Sequence, residues 1–404
     1  MEYKKPKGTR DILPNNYAVW QLMEAKAKDV AGRFNYAQIR TPTFEDASLF
    51  LRSVGDSSDI VNKEMYIFKD RGDRVMALRP EGTAGVVRAV VENGLLNEAL
   101  PLKLFYFANC FRYENPQAGR YRELSQFGVE CFGTQSPNAD VELILLGKSF
   151  LESIGIKNTT LQINSIGCKT CRAKYNQAMR DFAKENNNQL CPDCKRRAEQ
   201  NPLRMLDCKN TDCQKILQNA PKLKDYLCDE CSQHFAEVLK GLDTLGVEYK
   251  IVDTLVRGLD YYTKTVFEFE NEVDGKKMAV GGGGRYDDLV AEISGKSCPA
   301  LGFACGLDRL ESLVDKNLIQ NKPLALIVNA GQVSTAQVLP IAQKIRNLGY
   351  NVECNLAERS FSAQMKYANK INADFVFIVG DEEIQNGTIT IKNLKTGEQT
   401  TKKL

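Results

Sequence analysis

Residues 102–110 (LKLFYFANC) and 127–132 (FGVECF) are apolar runs, and the polar stretch between them is dense in charge. Within 111–130, FRYENPQAGRYRELSQFGVE, stand Arg112, Arg120 and Arg122 with Glu114, Glu123, Gln126 and Glu130. Asn115, Pro116 and Gly119 read as a turn. The simplest fold for this pattern is an antiparallel hairpin with a basic loop at its tip. Arginines on opposed strands can point into one pocket and grip a triphosphate through bidentate, charge-assisted bonds. Acids on the same strands can hold the amino group or ring of a second substrate. The competing picture is an edge hairpin with solvated charges, since charge runs usually face water. The rest of the chain decides between them.

The 404 residues suggest two or three domains. Hydrophobic residues make up 43% and charged residues 26%, the balance of a soluble globular enzyme. No long uncharged apolar run predicts a membrane span. The start, MEYKKPKGTRDILP, lacks an apolar signal core, so the expected location is cytoplasmic. A net charge of +3 does not argue for nucleic acid, and any RNA contact has to come from local patches. Thirteen cysteines without a signal peptide suggest metal ligation or free thiols rather than disulfides. The single histidine, His234, excludes a histidine triad or a histidine-rich metal site elsewhere in the chain.

Helical spacing is expected over 17–34, with Val19, Leu22, Met23, Ala27 and Val30 on one face. Residues 36–50 read as a strand broken by Pro42, then a helix start; the proline fits an edge or interface strand. Residues 63–70 alternate like a strand. Residues 75–83 place Arg79, Glu81 and Thr83 ahead of a helical stretch, where Thr83 suits either ligand contact or a helix cap. A buried helix over 139–151 and a strand over 160–165 follow. From 168 to about 246 the composition shifts to paired cysteines, Lys, Asn and Gln, which marks an inserted segment of helical spacing. The core pattern resumes at 249 and runs through 255–265, the strand 266–269, 279–286 (AVGGGGRY) and 299–310 (PALGFACGLDRL). Antiparallel strands separated by helices predict an α+β domain. From 323 the pattern is βαβαβ with a closing hairpin over 388–400, hence a small parallel sheet. Its nine Lys/Arg nearly cancel its seven Asp/Glu, so charge alone does not show nucleic acid binding there.

Three groups of residues can carry chemistry. Arg112, Arg120 and Arg309 suit a nucleotide site, because phosphoryl and nucleotidyl chemistry is mostly positioning plus charge neutralisation. No GxxxxGK[ST] occurs, and the glycines at 281–284 fit a turn or a close backbone approach beside a ligand. Glu81, Thr83, Gln126 and Glu130 suit an ammonium or a ring N–H; Tyr261 and Tyr262 suit an aromatic wall or plain core. The third group is the cysteine block. Cys168/Cys171, Cys191/Cys194 and Cys228/Cys231 are C-x2-C pairs, and Cys208/Cys213 is C-x4-C. The first four cysteines have the spacing of a zinc ribbon. Eight thiolates make two four-cysteine sites, or one site with spare thiols. The outer pairs begin and end the insert, so the expected sets join Cys168/Cys171 to Cys228/Cys231 and Cys191/Cys194 to Cys208/Cys213. Such zinc is structural, since a catalytic ion keeps an open position. His234 lies near the last pair, with a surface role favoured.

Together these stretches resemble the class II histidyl-tRNA synthetase family along nearly the whole chain. RTPTFED (40–46) resembles its dimer-interface motif, FRYENPQAGRYREL (111–124) its second motif and GFACGLDRL (302–310) its third. LRPEGTAG (78–85), LVRGLDYYT (255–263) and GGGRYDDL (282–289) narrow the likeness to the histidine enzymes, and the tail resembles their anticodon-binding domain. The implied fold is a class II antiparallel-sheet catalytic domain in two parts, 1–166 and 247–320. A cysteine-rich helical insert at 167–246 divides it, and an α/β anticodon-binding domain at 323–404 follows. The implied activity is ATP-dependent attachment of L-histidine to tRNA(His) through a histidyl-adenylate, with Mg²⁺, in a homodimer. Glu81, Gly82, Thr83 and Gln126 would hold the amino end of histidine, and Glu130, Tyr261 and Tyr262 its imidazole. Arg112 and Arg257 would meet the carboxylate and α-phosphate as the catalytic pair. Arg309 would clamp the terminal phosphate, with Arg120 and Glu114 on the ATP side.

The chain departs from the family where Leu124 stands in place of an aromatic that stacks on adenine, and in stopping at Leu404, short of the usual last helix. The insert occurs in only part of the family; its zinc would act on RNA only by fixing the insert against the acceptor arm, so adenylate formation should survive chelation better than tRNA charging. One rival is a non-catalytic, synthetase-like regulatory subunit of ATP phosphoribosyltransferase, which lacks the anticodon domain and the histidine signatures. Another is a zinc-ribbon RNA-binding protein, which leaves the arginines idle.

Overall fold

The computed structural model describes residues 3–54, 60–117, 119–273, 275–320 and 322–403. The last residue, Leu404, lies outside the described residues. Two compact units divide the chain, Met1–Ile319 and Gln320–Leu404.

In the first unit the two apolar runs pair as Leu102–Phe111 and Glu123–Phe132, the expected hairpin. The hairpin lies inside an eight-stranded sheet rather than at an edge, and this removes the picture of an edge hairpin. The strand order is Ala37–Gln38, Leu102–Phe111, Glu123–Phe132, Ala300–Gly306, Lys276–Arg285, Thr263–Val273, Thr159–Ser165 and Tyr249–Ile251. Only the two outermost strands pair in parallel; the six between them are antiparallel.

Side chains alternate between the faces of a strand, and here the alternation separates core from site. Phe127, Val129 and Cys131 enter one apolar cluster with helices Pro14–Arg33 and Pro137–Ser153. The intervening Gln126 and Glu130 line a cavity on the opposite face. Tyr106, Ala108 and Cys110 share that second face with Tyr261, Tyr262 and Tyr286.

The cysteine-rich segment folds into helices Lys169–Glu185, Pro192–Gln200, Thr211–Leu217 and Asp229–Thr244 joined by short turns. Its apolar residues Tyr175, Met179 and Met205 belong to the same cluster as the site-face tyrosines. The surface role expected for His234 is overturned. His234 is buried with Cys231, Val238 and Leu242 on one face of its helix, and its Nε2 lies 3.3 Å from Asp140 Oδ2. That spacing is a helical stripe, and packing against Pro137–Ser153 covers it.

A separate antiparallel sheet orders Phe44–Asp46, Val75–Leu78 and Ile67–Lys69. It leaves Phe44, Ile67, Phe68 and Val75 exposed, at 42% to 54% of their surface.

In the second unit, three parallel strands run Asn351–Cys354, Leu324–Asn329 and Phe375–Val379. The hairpin Thr388–Asn393 and Gln399–Lys403 adds antiparallel strands at one edge. Helices Thr335–Asn347 and Phe361–Lys370 make the crossovers that parallel pairing requires. A short helix, Asp381–Asn386, was not expected from the sequence. No described helix is long and apolar enough to cross a membrane.

Candidate active site

A cavity of about 210 Å³ opens on the second face of the large sheet. Glu81, Thr83, Arg112, Glu114, Arg120, Gln126, Glu130, Arg257, Tyr261, Tyr262 and Arg309 all line it. Residues more than two hundred positions apart in sequence therefore meet at one place. Of the expected site residues only Gly82 does not line the cavity. It lies behind Thr83, where a Cβ would fall 2.2 Å from the ring of Tyr106.

One end of the cavity is acidic and aromatic. Glu130 is 1% exposed. Its carboxylate accepts from Thr83 Oγ1 at 2.8 Å, from Tyr106 OH at 2.9 Å and from Tyr286 OH. Burial pushes the Glu130 carboxyl up to about 8; the Tyr286 and Thr83 hydroxyls hold it down and the nearby Glu81 raises it. Glu81 is also raised by burial, against the N–H bonds it accepts from Ala84 at 2.8 Å and Thr83 at 2.6 Å. Those bonds remove the helix-cap reading of Thr83. Glu81 serves the open N–H groups of helix Thr83–Glu92, and the Thr83 hydroxyl is free to meet Glu130. Tyr261 meets Tyr262 at a tilt, with ring centroids 4.8 Å apart, and Tyr286 edge to face at 5.4 Å.

The other end is basic. Arg112 donates from Nε to Pro80 O at 2.8 Å, and Arg120 pairs with Glu114. Arg309 donates to Ala279 O at 3.1 Å, and burial together with the neighbouring Arg120 lowers its pKa. Arg257 pairs with Glu268 on the Thr263–Val273 strand. Arg122, by contrast, turns away and covers the Tyr113 ring at 3.7 Å.

The glycines at 281–284 form strand, not a turn, within Lys276–Arg285. A Cβ on Gly283 would lie 2.0 Å from Gly302 O, and one on Gly282 would meet the Arg257 guanidinium at 2.8 Å. A Cβ on Gly302 would fall 1.9 Å from Glu130 Oε2. Close approach of backbone is thus the reason for glycine here.

Several contributors escaped the sequence reading: Tyr106, Tyr286, Glu268 and Arg10. Tyr286 stands within the quoted GGGRYDDL and only lacked an assigned role. Arg10 bonds Asp308 at 2.8 Å and Glu311 at 2.5 Å, and so ties the chain start to the helix that bears Arg309. Asp308 in turn accepts from Ser125 N at 2.7 Å. Tyr106 and Glu268 carry no local signal, because only strand register brings them against the cavity residues Glu130 and Arg257.

The cysteines gather in the two expected sets, Cys168/Cys171/Cys228/Cys231 and Cys191/Cys194/Cys208/Cys213, with all sulfurs of a set within 4.8 Å of one another. Cys168 Sγ and Cys171 Sγ are 3.5 Å apart, and Cys191 Sγ and Cys208 Sγ 3.8 Å. A tetrahedral ion with metal–sulfur bonds of about 2.3 Å requires sulfurs about 3.8 Å apart. Backbone N–H groups of Cys228 and Cys191 donate to the sulfurs of Cys171 and Cys213, both at 3.1 Å, as thiolates would demand. The donor sets therefore fit zinc.

An antiparallel sheet whose one face carries a hairpin arginine, a terminal-helix arginine and an acid-lined cavity is the catalytic architecture of class II aminoacyl-tRNA synthetases. The family model described as histidyl-tRNA synthetase matches residues 8–310, and that of the anticodon binding domain matches 325–404. A histidine–tRNA ligase of Acetivibrio thermocellus is 47% identical over 98% of this chain and 95% of its own length. One from Caldanaerobacter subterraneus subsp. tengcongensis is 46% identical over 98% and 96%. The apo crystal structure of S. aureus histidyl-tRNA synthetase superposes with a TM-score of 0.83, at 34% identity, covering 100% of this chain and 97% of that one. An ATP phosphoribosyltransferase regulatory subunit/histidyl-tRNA synthetase from Bacillus halodurans C shares the fold at 22% identity and a TM-score of 0.69, covering 94% and 99%. This chain belongs to the histidyl-tRNA synthetase family.

Proposed function

We infer that the chain works as a histidine–tRNA ligase, joining L-histidine to tRNA(His) through a histidyl-adenylate and releasing AMP and diphosphate. The observation that carries this is the cavity with an acid-and-tyrosine end and a four-arginine end. Mg²⁺ enters with ATP. Attack of the histidine carboxylate on the α-phosphate builds negative charge on the phosphate oxygens. Arg112 and Arg257 offset that charge, already fixed by Pro80 O and Glu268, without reorganising. Arg309 and Arg120 hold the outer phosphates beside Glu114. At the other end Glu81, Thr83 and Gln126 hold the ammonium group, and Glu130 takes the ring N–H between the tyrosines. A side chain without that N–H would leave the buried acid unpaired, and this rejects it. Leu124 lines the cavity in the adenine position, so the base rests on an aliphatic rather than an aromatic surface.

The regulatory-subunit reading is disfavoured by the anticodon-binding match over 325–404, and the RNA-binding reading by the arginine cavity. Histidine-dependent pyrophosphate exchange followed by charging of tRNA(His) tests the assignment. A protein that does neither would refute it. A cytoplasmic location belongs to the same reading.

A homodimer joined through the small three-stranded sheet follows from its exposed Phe44, Ile67, Phe68 and Val75. Pro42 leads into that sheet, and Arg79 donates to Thr41 O at 3.0 Å, Pro42 O at 3.1 Å and Asn109 O at 2.7 Å. The interface is thereby tied to the catalytic hairpin. Phe68→Glu should weaken the dimer at least tenfold by light scattering or sedimentation. A dimer unchanged by that charge would place the interface elsewhere.

The two cysteine sets hold structural zinc on this reading, and give the insert folding free energy beyond that of its apolar core. Protein purified under reducing conditions should carry about two zinc ions per chain, with the eight thiols unreactive until a chelator is added. Absence of zinc with all eight thiols titratable would leave the insert a plain helical module.

A further inference from the structure

The insert reaches the segment Arg257–Tyr262, which lines the cavity, through two arginines. Arg204 lies in the short turn Pro202–Asp207, with Cys194 and Cys208 on either side in sequence. Its side chain is 10% exposed. Nη1 donates to Arg257 O at 2.9 Å and Nη2 to Gly258 O at 2.7 Å. Nε lies 3.2 Å from Asp260 Oδ1, which also accepts from Asn201 Nδ2 at 3.1 Å. Arg172, one position after Cys171, donates to Tyr262 O at 3.0 Å. The irregular segment from Arg257 to Tyr262 carries the proposed clamp and both wall tyrosines, and the insert holds its carbonyls at both ends.

We propose that Arg204 is a positioning residue for histidine activation. Its fork grips two successive carbonyls and the Asp260 carboxylate, and sets where the Arg257 side chain enters the cavity. This rests on the ligase reading above. A guanidinium suits the task because its donors lie in one plane at fixed spacing, whereas a lysine ammonium offers a single point of charge. Positioning errors of about 1 Å can cost on the order of a hundredfold in rate. Loss of the ion from the Cys191/Cys194/Cys208/Cys213 set should then reach adenylate formation as well as charging. On this proposal chelation lowers adenylate formation too, contrary to the expectation drawn from sequence.

The test is steady-state pyrophosphate exchange by the full-length protein and by Arg204→Ala and Arg204→Lys, with Tm and zinc content measured on the same samples. Arg204→Ala should lower kcat for histidine-dependent exchange at least about thirtyfold, while KM for ATP stays within about twofold and zinc content is unchanged. Arg204→Lys should regain most of the Tm but less than about a tenth of the lost rate, and carries the test alone if the alanine variant does not fold. Exchange within about threefold of the unaltered protein in both variants would overturn the proposal. So would full rescue by lysine, or equal loss on both substrates in step with Tm. An unaltered protein without histidine-dependent exchange would instead defeat the ligase reading.

Discussion

Arg257→Ala should slow histidine-dependent pyrophosphate exchange by more than about a hundredfold, at least ~3 kcal/mol of lost transition-state stabilisation. The guanidinium lies in the cavity, paired with Glu268 and so close to the Gly282 backbone that a Cβ there would stand 2.8 Å from it. A charge fixed in that way needs no rearrangement when negative charge develops on the α-phosphate. The fold should tolerate the change, because the side chain is 21% exposed and leaves no sealed void. Exchange kinetics with Tm on the same sample check both parts. Near-normal exchange would remove Arg257 from the mechanism.

Glu130→Gln should lower kcat/KM for histidine by about a hundredfold or more, since the amide keeps the shape of the acid but cannot release a proton to become the anionic acceptor that the ring N–H pairs with. The same variant should change how stability depends on pH. Burial raises the Glu130 carboxyl from its ordinary 4.5 to about 8. Between those values the folded protein keeps a proton that the unfolded chain has released. The stability tied to that proton is complete below about 4.5 and is lost as pH rises through about 8. Glutamine has no proton to lose. Relative to the unaltered protein, the variant should therefore gain on the order of a few kcal/mol between pH 4.5 and 8. Urea unfolding at both ends of that range measures it, and a difference that does not vary with pH would place the carboxyl outside this account.

Local pattern was enough for the hairpin at 102–132, the helices expected over 17–34 and 139–151 and found at Pro14–Arg33 and Pro137–Ser153, and the βαβαβ tail, because each has a period that only one kind of element satisfies. The charged and aromatic residues that line the cavity were also legible as candidates, since they sit in short motifs whose residue types suit phosphate or ammonium. The two cysteine sets followed from chain order alone, because pairs that open and close a segment come together when it folds back. Other features had no such signal. The glycines at 281–284 fit either a turn or a close backbone approach until Gly302 O and Arg257 are seen against them. His234 looked like a surface residue, although the stripe of Cys231, Val238 and Leu242 around it was there to be counted. Tyr106 and Glu268 are ordinary strand residues in the sequence. Register alone turns them toward Glu130 and Arg257, and a slip of one position would send them to the other face.

Sequence by itself thus determined which segments form, which family they resemble and which charged residues chemistry would want, because those depend on neighbours a few positions away. Tertiary structure alone decided which of those charges are buried, which are paired and what holds them. The raised carboxyl of Glu130 depends on its depth in the fold and on hydroxyls 24 to 156 positions away, and the grip of Arg204 on the Arg257 carbonyl spans 53. Burial and long-range contact are properties of three-dimensional neighbours, and chain order does not specify them until the sheet has formed.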